Sequence, residues 1–255
     1  MTAIGLHPAP FVLDPGVPVL DGLTLRGRAA VQSARTRLRY ARACFRRAAR
    51  VAAVRLQSQL KRTLDFVGAA LLLVALSPLF LLVALLIKLN DGGPVLFWQK
   101  RVGHRGRTFW FPKFRSMVVN AEAIKRQLLA RNDHGDSVTF KMKRDPRVTW
   151  IGRIIRKLSI DELPQLWCVL KGEMSMVGPR PPVPQEVAKY TLQQRRRLEV
   201  TPGLTCLWQI NGRGDIPFAR QVELDIEYIE SQSLRTDLCI LLKTIPAVLL
   251  GRGAY

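Results

Sequence analysis

The chain has 255 residues, 48% of them hydrophobic, and its 40 Lys plus Arg outnumber 19 Asp plus Glu to give a formal net charge of +21. That length supports one substantial core with an appendage, and the charge excludes a protein with no anionic partner: nucleic acid, an anionic membrane surface and a phosphate-rich substrate all satisfy it. The four cysteines, Cys44, Cys168, Cys206 and Cys239, lie far apart without C-x-x-C spacing, so they read as reduced packing residues in a cytosolic environment.

Residues 1–25 mix prolines and glycines with little charge and no periodicity, which predicts a flexible tail. No secretory signal is expected, because the first long apolar run begins only after residue 65. Residues 26–60 then form a basic extension. Twelve Lys and Arg lie between Arg26 and Arg62, alanines and leucines fill the gaps, and no Asp or Glu falls between Asp21 and Asp65. A basic amphipathic helix of this kind binds an anionic lipid surface at about 1 kcal/mol per nearby cation. A solvated helix face, a disordered arm and a nucleic-acid contact fit the same composition.

Phe66 to Ile87 is a run of 22 residues without a charge. At about 1.5 Å per residue it is long enough, at roughly 33 Å, to cross a bilayer. Two features argue against a simple crossing. Ser77-Pro78 sits mid-run, where proline removes a backbone hydrogen bond and bends a helix. Both flanks are also basic, so a single span would place one of them outside against the positive-inside tendency. A re-entrant helix over 61–90, broken at Ser77 and Pro78, satisfies both flanks, and it leaves residues 91–255 as a cytosolic domain.

Asn90-Asp-Gly-Gly-Pro94 predicts a turn, and Val95 to Gln99 with Thr108 to Phe111 predict a β-hairpin around His104-Arg-Gly106. His104 has no second ligand at metal spacing and reads as a loop residue. Residues 119–133 have helical periodicity. Asp145-Pro-Arg147 then turns the chain into a helix bearing Arg153, Arg156 and Lys157.

That helix leads into Ser159-Ile-Asp161-Glu162-Leu-Pro164-Gln165, a carboxylate pair at an expected helix start. Ser159 and Glu162 have capping-box spacing, which is one reading. The other is a site: an acidic pair at a helix N-terminus in a basic protein suits a nucleophile that attacks phosphorus, with upstream arginines holding the phosphates. Downstream, prolines flank Arg180 in Gly178-Pro-Arg180-Pro-Pro182, a stiff loop that suggests an anion clamp. Glu223 to Glu230 reads as a solvated helix face. Leu238 to Leu250 is apolar but too short to span, which places it at an interface or in the core.

From Lys61 onward the chain resembles the bacterial sugar transferases, the monotopic polyprenyl-phosphate phosphoglycosyl transferases. The matching stretches are Lys61-Arg62-x-x-Asp65, Ser77-Pro78, Gly93-Pro94-Val95, Gln99-x-Arg101-Val-Gly103, Lys113-Phe-Arg-Ser-Met117, Asp145-Pro-Arg-Val-Thr149, Ser159 to Gln165, Val177-Gly-Pro-Arg-Pro181, Pro202-Gly-Leu-Thr205 and Gln209-Ile-Asn-Gly-Arg213, spread over about 195 residues. The resemblance implies a helix-rich α+β fold: a re-entrant membrane helix, a small β-hairpin and interfacial amphipathic helices. It implies transfer of a sugar phosphate from a UDP-sugar to polyprenyl (undecaprenyl) phosphate with release of UMP, at the cytoplasmic face of the bacterial inner membrane, to initiate a lipid-linked polysaccharide. By position Asp161 resembles the nucleophile of a two-step covalent reaction and Glu162 the carboxylate that holds Mg2+. Arg156, Arg180 and the adjoining Pro181 match the phosphate-contacting region, and Lys113 and Arg115 fall in a further motif. Where the family has glycine after Thr205 this chain has Cys206, which bears on donor preference. The partners expected are therefore a UDP-sugar, polyprenyl phosphate and an anionic membrane surface, with no nucleic acid; a homo-oligomer is compatible with the sequence. Two rivals stay open: a basic membrane adaptor without activity, and a glycosyltransferase that releases UDP.

Overall fold

The computed structural model describes residues 22–121, 123–124 and 145–250. The expected tail up to residue 21 and most of the expected helix over 119–133 lie outside them. The chain divides into two compact units, one ending at Arg55 and the other beginning at Leu56. In the first unit the described residues are helical from Gly22, four residues before the expected boundary at Arg26. Arg39, Arg42, Arg46 and Arg50 follow one another at three- and four-residue spacing, which places them on one exposed stripe.

The helix α1, Gly22–Ala75, continues into the second unit and stops at Leu76; α2 spans Ser77–Asp91, and the two meet at a 58° bend. The cause is the Ser-Pro pair. Pro78 has no N–H to give the Val74 carbonyl, and the Ser77 hydroxyl donates to that carbonyl instead at 2.8 Å. Among the described residues no single helix is long and apolar enough to cross a membrane, though the bent pair passes that test together. Gly92 closes α2 in the left-handed conformation with φ +69.

The hairpin follows, β1 Leu96–Val102 and β2 Thr108–Phe114, longer than the sequence indicated because alternation continues through Arg101 and Lys113. His104 lies in the connecting turn. Its register pairs Gln99 with Phe111 and Phe97 with Lys113, so Gln99, Arg101, Phe111 and Lys113 share a face, while Trp98, Lys100 and Trp110 take the other. Helix α3, Trp150–Lys157, begins at Thr149, whose side chain accepts from the Gly152 amide at 3.0 Å. A 3₁₀ segment, Ile160–Gln165, runs into α4, Leu166–Lys171. Strands β3, Ser175–Val177, and β4, Gly203–Thr205, pair in parallel. They approach so closely at Gly178 and Gly203 that a Cβ on Gly203 would stand 2.0 Å from the Gly178 amide nitrogen. Short helices α5 (Pro184–Val187), α6 (Leu192–Arg195) and α7 (Leu207–Asn211) precede α8, Phe218–Glu230, and α9, Leu234–Leu250.

One core cluster joins Ala69 of α1 to Phe109, Phe111, Leu166, Val169 and Met174; a second joins Val83 and Ile87 of α2 to Phe114, Ile151 and Ile155. The Lys61-Arg62-x-x-Asp65 motif fastens α1 to this framework. Lys61 Nζ lies 2.5 Å from Asp237, the Arg62 guanidinium donates to the Val169 and Leu170 carbonyls, and Asp65 accepts from the Met176 amide. The described structure is thus helix-rich α+β with a small hairpin. Two expectations change. Asp225, expected on a solvated face, is fully buried and paired with Arg197 at 2.7 Å, because α8 packs that face inward while Glu223, Glu227 and Glu230 stay exposed. Cys168 and Cys206 are packing residues, but Cys44 and Cys239 are exposed.

Candidate active site

The strand register brings the first group to the site. Lys113, on the inner face of β2, donates to Glu162 Oε1 at 2.7 Å from across the 3₁₀ segment. Arg180 approaches the same carboxylate, Nη2 to Oε1 at 2.6 Å and Nη1 to Oε2 at 3.1 Å. This fork is held by its loop. The Gly178 amide donates to Thr205, the Gly203 amide to Pro179, the Val102 amide to Pro182, and Arg101 Nη1 to the Pro181 carbonyl at 2.9 Å. The rigid proline loop expected around Arg180 is therefore pinned to two strand pairs at once.

The capping box does not form. Ser159 takes a left-handed backbone (φ 54) and makes no side-chain cap, and the Glu162 side chain points to Lys113 and Arg180. A non-glycine residue rarely adopts this conformation, and here it turns the chain out of α3 so that Asp161 and Glu162 face the same cavity.

The two carboxylates have opposite electrostatics. Burial would raise the Glu162 pKa, but Arg180 and Lys113 outweigh it and hold the group well below the usual range. Asp161 is 6% exposed, and among the described residues nothing donates a hydrogen bond to its carboxylate. Burial pushes its pKa up to about 6; Lys113 offsets part of that shift and the Glu162 charge adds to it. Neighbouring acids pushed apart in this way take different roles: Glu162 is a committed anion, Asp161 a free carboxylate still mostly ionised at neutral pH.

Both open into a cavity of about 950 Å³ lined by six cations, Arg101, Lys113, Arg156, Arg180, Arg197 and Arg213, against three carboxylates, Asp161, Glu162 and Glu186. The excess of positive charge suits a diphosphate. Arg156 lines it from the last turn of α3, and Pro181 from the loop. Arg115 does not join them. Its guanidinium is ion-paired with Asp91, and its Nε donates to the Pro94 carbonyl at 2.6 Å, so it ties the end of α2 to the hairpin instead of reaching a phosphate. Three cavity arginines were not singled out from sequence. Arg101 was legible, since the period of two puts it on the hairpin face that carries Lys113, with the Phe111 ring between them. Arg213 sits in a recognised motif but needs its unusual φ of 53 to be placed, and Arg197 depends on the distant Asp225.

Among the described residues no group of three or more His, Cys, Asp and Glu side chains converges on a metal position. Asp161 and Glu162 nonetheless fit a hard cation, which takes oxygen ligands and draws most of them from substrate phosphates and water. Glu162 Oε2 accepts one hydrogen bond and so keeps a free lone pair. Cys206, in place of the expected glycine, has an extended backbone (φ −153) that suits any residue, and its buried thiol lies 3.3 Å from Gln209.

The chain is 47% identical over 198 residues to the exopolysaccharide production protein ExoY of Sinorhizobium fredii, covering 76% of this chain and 88% of that one. It is 43% identical over 199 residues to the undecaprenyl-phosphate galactose phosphotransferase of Salmonella typhimurium, covering 77% of this chain and 42% of the other. It is 45% identical over 206 residues to the undecaprenyl-phosphate glucose phosphotransferase of Komagataeibacter xylinus, covering 76% of this chain and 37% of the other. It thus spans less than half the length of the latter two. The pattern of the bacterial sugar transferases matches residues 56–251, a stretch that contains every residue lining the cavity. With its site lying wholly inside that match, the chain belongs to the bacterial sugar transferase family.

Proposed function

We propose that this enzyme moves a hexose 1-phosphate from a UDP-sugar to undecaprenyl phosphate, in two displacements at one phosphorus. An Asp161 oxygen attacks the sugar-bearing phosphorus of the donor. A new P–O bond forms to the carboxylate, the bond to the bridging oxygen breaks, and UMP leaves with that electron pair. A phosphate oxygen of the lipid then attacks the same phosphorus, the bond to Asp161 breaks, and the carboxylate is restored as the lipid diphosphosugar departs. The observation that carries this reading is the division of labour in the carboxylate pair: Glu162 is clamped by Lys113 and Arg180 while Asp161, one residue away, is buried and has no hydrogen-bond donor among the described residues.

Arg156 and Arg180 orient the phosphates and offset their charge, and Lys113 keeps Glu162 ionised. Glu162, together with substrate oxygens, would hold Mg2+, which when bound would supply further neutralisation of the diphosphate. The bent α1–α2 pair enters and leaves the cytoplasmic face of the bacterial inner membrane, with the arginine stripe on its anionic lipids. Relatives named as galactose and glucose phosphotransferases and as an exopolysaccharide production protein support UDP-galactose or UDP-glucose as the donor and exopolysaccharide synthesis as the use of the product.

The test is nucleotide release from a panel of UDP-sugars in nanodiscs with Mg2+ and undecaprenyl phosphate. UMP from one donor, abolished in Asp161→Asn, is the expected outcome. UDP in place of UMP means ordinary glycosyl transfer, UMP unaffected by the substitution removes Asp161 as nucleophile, and no nucleotide from any donor returns the protein to an adaptor role.

A further inference from the structure

The cavity around Asp161 has two unlike ends. Away from the charged groups its wall is built by Gly68, Leu71 and Leu72 of α1 and by Leu241, Ile245 and Val248 of α9. The two helices are joined at the Lys61–Asp237 ion pair, and the wall begins one to two turns beyond it: Gly68 is seven residues past Lys61, and Leu241 four past Asp237. Thr244 is the polar side chain that α9 contributes, and it is already satisfied, its Oγ1 2.8 Å from both Thr205 Oγ1 and the Ile240 carbonyl. This end therefore offers a nucleobase or a sugar nothing to hydrogen-bond, and it suits an aliphatic chain.

The wall is open to the outside. Leu71 is 66% exposed and Ile245 60%, and they continue into the exposed apolar residues Val67 and Val74 on one helix and Leu242 and Leu249 on the other. Gly68 adds clearance, since a Cβ built there meets nothing within 4 Å. An occupant entering from this apolar surface reaches the cation-lined end head first, so it carries its anionic group at the tip of its hydrocarbon.

We propose that the groove between α1 and α9 binds the first isoprene units of the acceptor lipid, with Gly68 as the gap that admits them and the lipid phosphate delivered to Asp161. This rests on the phosphosugar transfer proposed above, and it adds what that reading leaves open: which residues hold the lipid tail.

The test separates the two half-reactions of the full-length protein in nanodiscs. With donor alone, UMP release is a single burst per enzyme and reads the first displacement. Transfer to undecaprenyl phosphate reads the second. Gly68→Leu, which exchanges a poor helix former for a good one and so favours folding, is expected to lower transfer per burst at least ten-fold and to raise the KM for the lipid. Ile245→Asn, at an exposed position on the facing wall, is expected to do the same. Transfer per burst equal to wild type in both variants overturns the groove. A second readout needs no turnover: a benzophenone-tailed isoprenyl phosphate is photolysed on wild-type protein and its adducts are mapped. Adducts within residues 68–72 or 241–249, displaced by unlabelled undecaprenyl phosphate, are expected. Adducts elsewhere, or adducts that undecaprenyl phosphate does not displace, overturn the proposal. A wild-type protein without a UMP burst removes the covalent reading, and the adduct map then decides the groove by itself.

Discussion

Asp161 and Glu162 differ by one position and share one cavity, yet only Glu162 receives hydrogen bonds from the cations. The consequence for stability has a definite sign. The Asp161 pKa is raised to about 6 by burial, above the value of 3.8 that it has unperturbed, so the folded protein binds the proton more tightly than the unfolded chain. The ionised form therefore weakens the fold, by an amount absent below about pH 4 and complete above about pH 6, on the order of 1–3 kcal/mol. Asp161→Asn is expected to melt a few degrees higher than wild type at pH 8 in chelator-treated buffer, with the gap shrinking toward pH 4, while releasing no UMP. An equal or lower melting temperature at pH 8 would show that the carboxylate is not destabilising. Arg180 acts through geometry as much as charge: its two nitrogens span both Glu162 oxygens. Arg180→Lys keeps the charge and loses the fork, so turnover is expected to fall about 10²-fold or more, the usual loss for one preorganised donor; turnover within a factor of three of wild type would reduce the arginine to a point charge. Local patterns with a chemical reason singled out both carboxylates, Arg156 and Arg180, while Lys113 came only from the family resemblance. It misplaced Arg115, two residues from Lys113 and on the same parity, because the strand ends at Phe114 and Asp91 captures the guanidinium.

At the scale of elements, what was local was legible. The hairpin follows from alternation, and the break at Ser77-Pro78 from the missing proline N–H. What depended on contacts distant in sequence was not. Asp225 looks like one more charge on an acidic helix, and only its pairing with Arg197, 28 residues earlier, shows that it belongs inside. The Ser77 hydroxyl is the less obvious half of the bend. It occupies the Val74 carbonyl that Pro78 leaves without a donor, which lets the chain turn among apolar surroundings without an orphaned acceptor. Replacing the pair by alanines restores a straight run from Phe66 to Ile87, about 33 Å long. We expect the Ser77→Ala, Pro78→Ala double variant to convert the segment into a span and to carry the N-terminal extension across the membrane. The chain carries its own reporter, since Cys44 and Cys239 are both exposed. A membrane-impermeant maleimide added to intact spheroplasts is expected to spare both cysteines in the wild type and to label Cys44 in the double variant. Labelling of Cys44 in the wild type would mean that the segment already spans.

Across the whole molecule, two concentrations of positive charge stand out within the net +21, and they lie in different settings. Six cations line the cavity, where they face its three carboxylates. Ten arginines lie in the unit that ends at Arg55, which precedes the family match beginning at residue 56. That division predicts separable functions. Among the described residues the extension supplies none to the cavity, which predicts that it contributes to where the enzyme sits and not to bond making. At about 1 kcal/mol per cation near an anionic leaflet, even the four arginines of the exposed stripe at 39, 42, 46 and 50 amount to roughly 4 kcal/mol, a factor of several hundred or more in partitioning. Such an attraction falls away within a Debye length and weakens with salt. Exchanging these four for glutamine is therefore expected to leave kcat unchanged in detergent, where no charged surface exists. In vesicles the same variant should show a weaker preference for phosphatidylglycerol over phosphatidylcholine, and its binding should fall less between 50 and 500 mM salt. If kcat in detergent fell with the substitution, the extension would have to reach the site. If the lipid preference were unchanged, the stripe would not be its source, and the remaining arginines of the extension or the exposed Lys88 and Lys100 would carry the attraction.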